Sequence, residues 1–219
     1  MELVPISQKV GALQEIWNLP FDKTPLANPY LELPFLLFFD VLEAIKCKAI
    51  IDSLSKEEFR ARLKQKGLDE SIRKTILHKP TPFIESIFAD LIASYQASIE
   101  AFFNISLFGG TKIQILEYQN GGFYRCHADN ASEIRKDGKL SDYKVVASAR
   151  KITTLLFLND DFAGGEIEFC HLRYFNGEKV VLKPKRGMMI VFPSHGLFAH
   201  EVRPVKGRRF AIVKWWEAI

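Results

Sequence analysis

Two residues of this 219-residue chain stand at a spacing that could do chemistry: His127 and Asp129, in the segment YRCHADN. The segment reads as a strand, and alternation sends every second side chain to one face. His127 and Asp129 therefore point the same way, with the small Ala128 turned opposite. A neutral imidazole beside a carboxylate can be a hydrogen-bonded surface pair, or it can be two of the three ligands of a metal site. The spacing alone does not separate the two readings, because short H-x-D matches arise by chance.

A third ligand would have to come from a strand end elsewhere in the chain. Two histidines compete, His195 and His200, in FPSHGLFAHEVRPVKGRRF. His200 opens an expected strand. Downstream of it lies Arg209, which alternation places on the same face as Ala211 and Val213. A cation turned into a protein interior is costly unless an anion meets it. A ligand carboxylate gripped by the guanidinium fork is such an anion. Two histidines and one carboxylate make the facial triad typical of non-haem Fe(II) oxygenases, which leaves metal positions open for reactants. The remaining histidines, His78 and His171, have no partner pattern and read as structural or solvated. Glu166 and Glu168 read as a solvent-facing edge rather than an acid–base pair, and Cys170-His171 is too isolated for a zinc site.

The elements that must position these residues divide the chain in two. Residues 1–110 read as a largely helical support and 111–219 as a strand-rich core, together one catalytic domain. FLLFF, residues 35–39, reads as a buried strand. Asp40 with Glu43, and Ser55 with Glu58, have capping-box spacing, and Gly67 would stop the second helix. Thr81-Pro82 opens a longer helix whose apolar residues, Ile84, Ile87, Phe88, Leu91, Ile92, Tyr95, Ile99 and Phe102, form one stripe at steps of three and four. After residue 111, TKIQILEY, RKITTLLFLN, GEIEF, GMMIVF and RRFAIVKWW read as strands, with a hairpin around Asn176-Gly177. Helices ahead of short Gly- and Pro-punctuated strands, without β-α alternation, point to a jelly roll and away from a dinucleotide-binding fold. Residues 130–147, polar and charged, read as a mobile loop, and their place after Asp129 suggests a lid.

Composition narrows the function classes. The net charge of +4 is diffuse, which argues against a nucleic-acid partner but suits a small anionic ligand. The run LPFLLFFDVLEAI is broken by Asp40 and too short to span a bilayer, and the N-terminus does not read as a signal peptide. Cys47, Cys126 and Cys170 are odd in number and far apart, and read as reduced thiols in a cytoplasmic protein.

The quoted segments also resemble a known family. YQNGGFYRCHAD, LFLNDDFAGGEIEF and LKPKRGMMIVFPSHGLFAHEVRPVKGRRFAIVKWW follow one another as the metal and cosubstrate segments do in the 2-oxoglutarate and Fe(II)-dependent dioxygenases, and most resemble the prolyl 4-hydroxylase branch. His200 follows His127 by 73 residues, room for several strands. The resemblance spans residues 111–216 and implies a double-stranded β-helix, a jelly-roll, cupin-like barrel with N-terminal helices packed on one sheet. It implies that His127, Asp129 and His200 bind Fe(II) and that Arg209 binds 2-oxoglutarate. Tyr118 stands where the family often places a tyrosine beside the cosubstrate. The implied reaction uses O2 and 2-oxoglutarate to hydroxylate a C–H bond, releasing succinate and CO2, with L-ascorbate as an accessory reductant. Asp129 favours hydroxylation over the halogenation of relatives that lack this carboxylate. The implied substrate is a prolyl or other residue in a peptide or protein; a free amino acid or small metabolite is the alternative, and a non-catalytic cupin-like metal-binding module the rival from another class.

Two departures stand out. Where some relatives carry a tyrosine before Leu158-Asn159, this chain has Leu156 and Phe157, leaving Thr153 or Thr154 as candidate second donors to the far carboxylate. The stretch between Val205 and Gly207 is one residue short, which makes Arg208 a rival to Arg209, although the Gly-x-Arg spacing favours Arg209.

Overall fold

Segments rich in β-branched and aromatic residues pair into sheets because their side chains fit a half-buried pleated surface. The computed structural model describes residues 35–54, 71–174 and 178–219. In chain order the strands and helices begin with β1 (Leu36–Phe38), α1 (Ala44–Asp52), β2 (Arg73–Lys74), β3 (Ile76–His78), α2 (Pro82–Phe103) and β4 (Leu107–Phe108). There follow β5 (Gln114–Tyr118), β6 (Phe123–His127), β7 (Ala131–Lys136), β8 (Lys139–Val145), β9 (Ile152–Phe157) and β10 (Ala163–Gly164). The chain closes with β11 (Ile167–Arg173), β12 (Lys179–Leu182), β13 (Met189–Pro193), β14 (His200–Val202), β15 (Val205–Lys206) and β16 (Arg209–Ala218).

The strands form a major sheet in the order β1-β13-β9-β16-β5-β3, with β4 on the far end of β16, and a minor sheet in the order β12-β11-β14-β6-β2. This is the double-stranded β-helix arrangement, with the two sheets separate rather than closed into one barrel wall. Phe169 of the minor sheet meets Phe192 of the major sheet edge-on, with ring centroids 5.5 Å apart. Alternation along the major sheet turns Arg209, Val213 and Trp215, with Tyr118, Leu116, Thr153 and Leu155, into the space facing the minor sheet.

Helix α2 starts as its sequence dictates. Thr81 is the N-cap, its hydroxyl accepts from the Ile84 amide, and Pro82 takes the first turn, where its missing N–H costs nothing. Ile84, Phe88, Leu91, Ile92, Tyr95 and Ile99 are buried, and at the last turn Phe103 rather than Phe102 is the fully buried ring. The Tyr95 ring packs edge-on against Phe38 of β1 at 4.9 Å, so the helix shares the core of the sheets.

Four expectations are corrected. Asp40 does not cap a helix: its φ of 52° is left-handed, the next amide is taken by the Gly187 carbonyl, and α1 begins only at Ala44 after Glu43, whose side chain makes no cap bond. Residues 130–147 are not an irregular loop but contain the β7–β8 hairpin, closed at Asp137-Gly138 with φ of 51° and 75°, the signature of a type I′ turn. Cys126 and Cys170 are not free thiols; they form a disulfide that ties β6 to β11, and Cys47 alone is a free, buried thiol among the described residues. The argument from reduced thiols to the cytoplasm therefore no longer holds. Glu168 is not a solvent-facing edge residue: it is buried and paired with Arg203 and Lys179. Strands β11 and β12 pair as the expected hairpin. Its Asn176-Gly177 turn lies outside the described residues, as do residues 1–32 and the Ser55–Glu58 box with its Gly67 stop.

Candidate active site

Antiparallel pairing of β6 with β14 sets His127 directly opposite His200, and their ring centroids are 4.5 Å apart. Asp129 follows at the end of β6, with its Oδ1 3.8 Å from His127 Nε2. One ligand atom from each of the three residues lies within 4.8 Å of the others. Each histidine directs Nδ1 at a backbone carbonyl two residues earlier, His127 at Arg125 (2.9 Å) and His200 at Phe198 (3.0 Å). A carbonyl only accepts, so Nδ1 carries the proton and the Nε2 lone pair is left for a metal, the usual way a ligating imidazole is oriented. Burial, and next the proximity of His200, pull the pKa of His127 down to about 3, so it is neutral at physiological pH. The donor set of two imidazoles and one carboxylate suits Fe(II).

Across the same cavity, of about 300 Å³, stands Arg209. It is fully buried, and none of its three guanidinium nitrogens has a hydrogen-bond partner. Its charge is flanked by two rings, Phe157 with its centroid 4.9 Å away and Tyr118 at 5.0 Å. Burial lowers its pKa to about 10, and the Tyr118 phenol works against that shift. A buried guanidinium without an anion is a set of open donors waiting for one. A dicarboxylate with one end at the triad and the other at Arg209 would satisfy it, so the residues present fit 2-oxoglutarate. Gly165, at φ +67°, keeps this pocket wall thin: a Cβ there would stand 2.9 Å from Arg209 Cδ.

Arg208 is not the rival the spacing allowed. It turns outward and donates from Nε to Glu117 Oε1 at 2.8 Å. Glu117 is completely buried and also meets His78 Nε2 at 2.9 Å. Burial pushes the Glu117 pKa up, but the hydrogen bonds from His78, Arg208 and Gln119 outweigh it and hold the carboxyl below its ordinary value. Arg208 is thus the partner of a buried anion, and His78 is structural. His171 is structural as well, bonded through Nε2 to the Tyr143 hydroxyl at 2.7 Å. His195 caps the short 3-10 turn at Gly196–Phe198, its Nδ1 accepting from the Leu197 amide at 3.3 Å, and is not part of the triad.

Both threonine hydroxyls are engaged away from Arg209 in this structure. Thr154 Oγ1 faces the Lys214 carbonyl and the Trp216 indole N–H. Thr153 donates to Asp129 Oδ2 at 2.7 Å and is itself 2.8 Å from the Ser194 hydroxyl. Sequence reasoning singled out Thr153 but missed this role. Alternation along β9 puts Phe157 on the face of Thr153, and Phe157 is the residue beside Arg209, so Thr153 lies two steps away, at the aspartate. The Thr153–Ser194 pair fixes one carboxylate oxygen and leaves Oδ1 toward His127. Replacing Thr153 by valine should weaken Fe(II) binding roughly 10- to 100-fold. Thr153→Ser should restore most of it, and Co(II) titration of the two variants reads the difference without any turnover.

Comparison with known proteins agrees with this geometry. The family described as the 2OG-Fe(II) oxygenase superfamily matches residues 113–217. A putative prolyl 4-hydroxylase of Acanthamoeba polyphaga mimivirus is 24% identical over 175 residues, covering 78% of this chain and 64% of that protein. Human prolyl 3-hydroxylase 2 is 36% identical over 93 residues, 41% of this chain and 13% of that protein. The chain thus spans less than two thirds of the length of either relative. Among solved structures, a Trichoplax adhaerens prolyl hydroxylase, in complex with a peptide fragment of the hypoxia inducible factor oxygen degradation domain, has a TM-score of 0.62 at 19% identity, covering 96% of this chain and 91% of its own. The viral collagen prolyl hydroxylase of Paramecium Bursaria Chlorella virus-1 has a TM-score of 0.57 at 19% identity, covering 84% and 96%. The matched region, residues 113–217, holds the triad and the buried arginine, so the similarity to the 2OG-Fe(II) oxygenase superfamily falls on the residues of the site.

Proposed function

We propose that the protein is an Fe(II)- and 2-oxoglutarate-dependent hydroxylase acting on a prolyl residue in a peptide or protein. The observation that carries this reading is the pairing of the His127–Asp129–His200 triad with the fully buried, unpartnered Arg209 in one cavity. A metal-binding module that turns nothing over has no use for that arginine. The relatives named prolyl hydroxylases support the choice of substrate.

In this reading His127, Asp129 and His200 hold Fe(II), which with 2-oxoglutarate and O2 supplies the oxidising power. The balance is R–H + 2-oxoglutarate + O2 → R–OH + succinate + CO2. The chain's own residues do the positioning. Thr153 and Ser194 fix the Asp129 carboxylate. Arg209 grips the far carboxylate of 2-oxoglutarate, with Tyr118 beside it. Phe157, Phe192 and Leu155 keep the pocket dry, which strengthens the charged contacts inside. The protein with Fe(II) should release succinate from 2-oxoglutarate under air, and a prolyl peptide should gain one oxygen by mass spectrometry. A gain on free proline and none on peptides would move the reading to a small-metabolite hydroxylase.

The β7–β8 hairpin serves in this reading as the gate for the prime substrate. Its root is fixed, since the Asn130 carbonyl accepts from the Val146 and Ala147 amides, and Tyr143 packs on Gly196, where a Cβ would come within 2.6 Å of the ring. The tip is exposed. Shortening it at Lys136–Lys139, with the Asp-Gly turn kept, should lower turnover of the prime substrate but leave 2-oxoglutarate affinity unchanged; equal losses in both would make the hairpin a structural element.

A further inference from the structure

The triad and Arg209 do not account for every charge in the cavity. Its lining among the described residues includes two more arginines, Arg73 and Arg150, yet the only carboxylate in it is Asp129. Arg150 is engaged: its guanidinium lies 4.1 Å from the Trp215 ring centroid, and Nη1 donates to the Asp129 carbonyl at 3.0 Å. Arg73 meets no carbonyl or carboxylate among the described residues; the polar group beside it is the Tyr124 phenol, which its side chain hydrogen-bonds. It enters from the edge strand β2, which pairs with β6 and sets Arg73 opposite Tyr124. Its guanidinium sits 4.6 Å from the Tyr124 ring centroid, and that ring in turn stacks on His127 at 3.4 Å. The cation is therefore two layers from a residue of the triad. Its Nε is buried without a hydrogen-bond partner, and no carboxylate pairs with it among the described residues. The Trp215 indole N–H, on the same cavity, is likewise buried and without a partner.

Buried donors without acceptors mark a place where a ligand supplies them. Neither carboxylate of 2-oxoglutarate is free for this, since one end belongs at the metal and the other at Arg209. We propose that Arg73 is a specificity residue for the prime substrate and takes a carboxylate carried close to the oxidised residue, an Asp or Glu side chain next to the proline. The cation–π contact and hydrogen bond to Tyr124 hold the guanidinium in place, and its unpartnered Nε–H is the donor offered to a carboxylate. An acidic peptide also suits the charge of the cavity: with Fe(II) and 2-oxoglutarate both bound, the three arginines and the metal outweigh Asp129 and the two cosubstrate carboxylates.

This inference rests on the hydroxylase reading above. The test uses capped peptides with a central proline flanked by Asp, by Asn or by Lys, offered with Fe(II), 2-oxoglutarate and O2 to the wild-type protein and to Arg73→Gln and Arg73→Glu. Oxygen gain by the peptide and succinate release are measured together. For wild type, kcat/KM should favour Asp over Asn by roughly 10- to 100-fold, the effect of a charge-assisted hydrogen bond. Arg73→Gln should erase that preference and Arg73→Glu should turn it toward Lys, while 2-oxoglutarate affinity and iron content stay as in wild type. An Asp preference that survives in Arg73→Gln, or no preference in wild type, overturns the assignment. So does a fall in 2-oxoglutarate affinity in Arg73→Gln, which would place Arg73 at the cosubstrate. If the same Arg73-dependent gain is seen for the carboxylate of free proline and not for acidic peptides, the carboxylate site stands and the peptide reading falls. Absence of succinate release from wild type would overturn the hydroxylase reading and this inference with it.

Discussion

Alanine at His127, Asp129 or His200 is expected to lower Fe(II) affinity by more than about 100-fold, a larger loss than the change of a residue that only supports a ligand. Each removes one of three donors that lie within 4.8 Å of one another, and none of the three belongs to the hydrophobic core cluster. The variants should keep their far-ultraviolet circular dichroism and melt cooperatively, but release no succinate. His195→Ala should bind Fe(II) as wild type does, because His195 caps a turn and lies outside the triad. Metal content after equilibration with Fe(II) under argon reads both results. A metal-free His195→Ala beside an iron-loaded His200→Ala would reverse the ligand assignment.

The second large effect is expected at Arg209. Arg209→Met, close in volume, should leave iron binding intact but weaken 2-oxoglutarate by about two to three orders of magnitude. Losing one partner of a buried charge pair costs roughly 3–5 kcal/mol. The free protein should respond differently. There Arg209 is buried with no partner on any nitrogen, so its removal should not lower the melting temperature and should raise it slightly. Added 2-oxoglutarate should stabilise wild type and leave Arg209→Met unmoved. Arg208→Ala should behave in the opposite way. Cosubstrate affinity should hold, but the buried Glu117 carboxylate loses its guanidinium, which costs roughly 1–3 kcal/mol of stability. A thermal shift assay with and without 2-oxoglutarate separates the two arginines, and a cosubstrate defect in Arg208→Ala with none in Arg209→Met would exchange their roles.

Much of the site was legible because it depends on period-two alternation and on strand ends. His127 and Asp129 share a face, His200 opens its strand, and Arg209 shares a face with Val213; each follows from spacing along one strand. What was not legible depends on contacts between strands. The Glu117 partner of Arg208 is on β5, and nothing local to Gly207-Arg208-Arg209 announces it. Thr153 is near Asp129 only because β9 and the end of β6 converge. The disulfide joins residues 44 apart, on strands that flank β14, so it required the sheet order. The β7–β8 hairpin is a different case. Its strands project from the core and carry exposed Ile134 and Val145, so no buried apolar stripe marks them. The Asp137-Gly138 pair is nevertheless a hairpin turn signal that the sequence carries in plain view.

The most direct test of the central claim is to follow the oxygen. The wild-type protein is given Fe(II), 2-oxoglutarate, a prolyl peptide and labelled O2, and both succinate and peptide are weighed by mass spectrometry. The account predicts one labelled oxygen in the hydroxylated peptide for each succinate formed, with nothing formed when 2-oxoglutarate is left out. Iron-loaded protein that releases no succinate, or a peptide oxygen that comes from water, would contradict it.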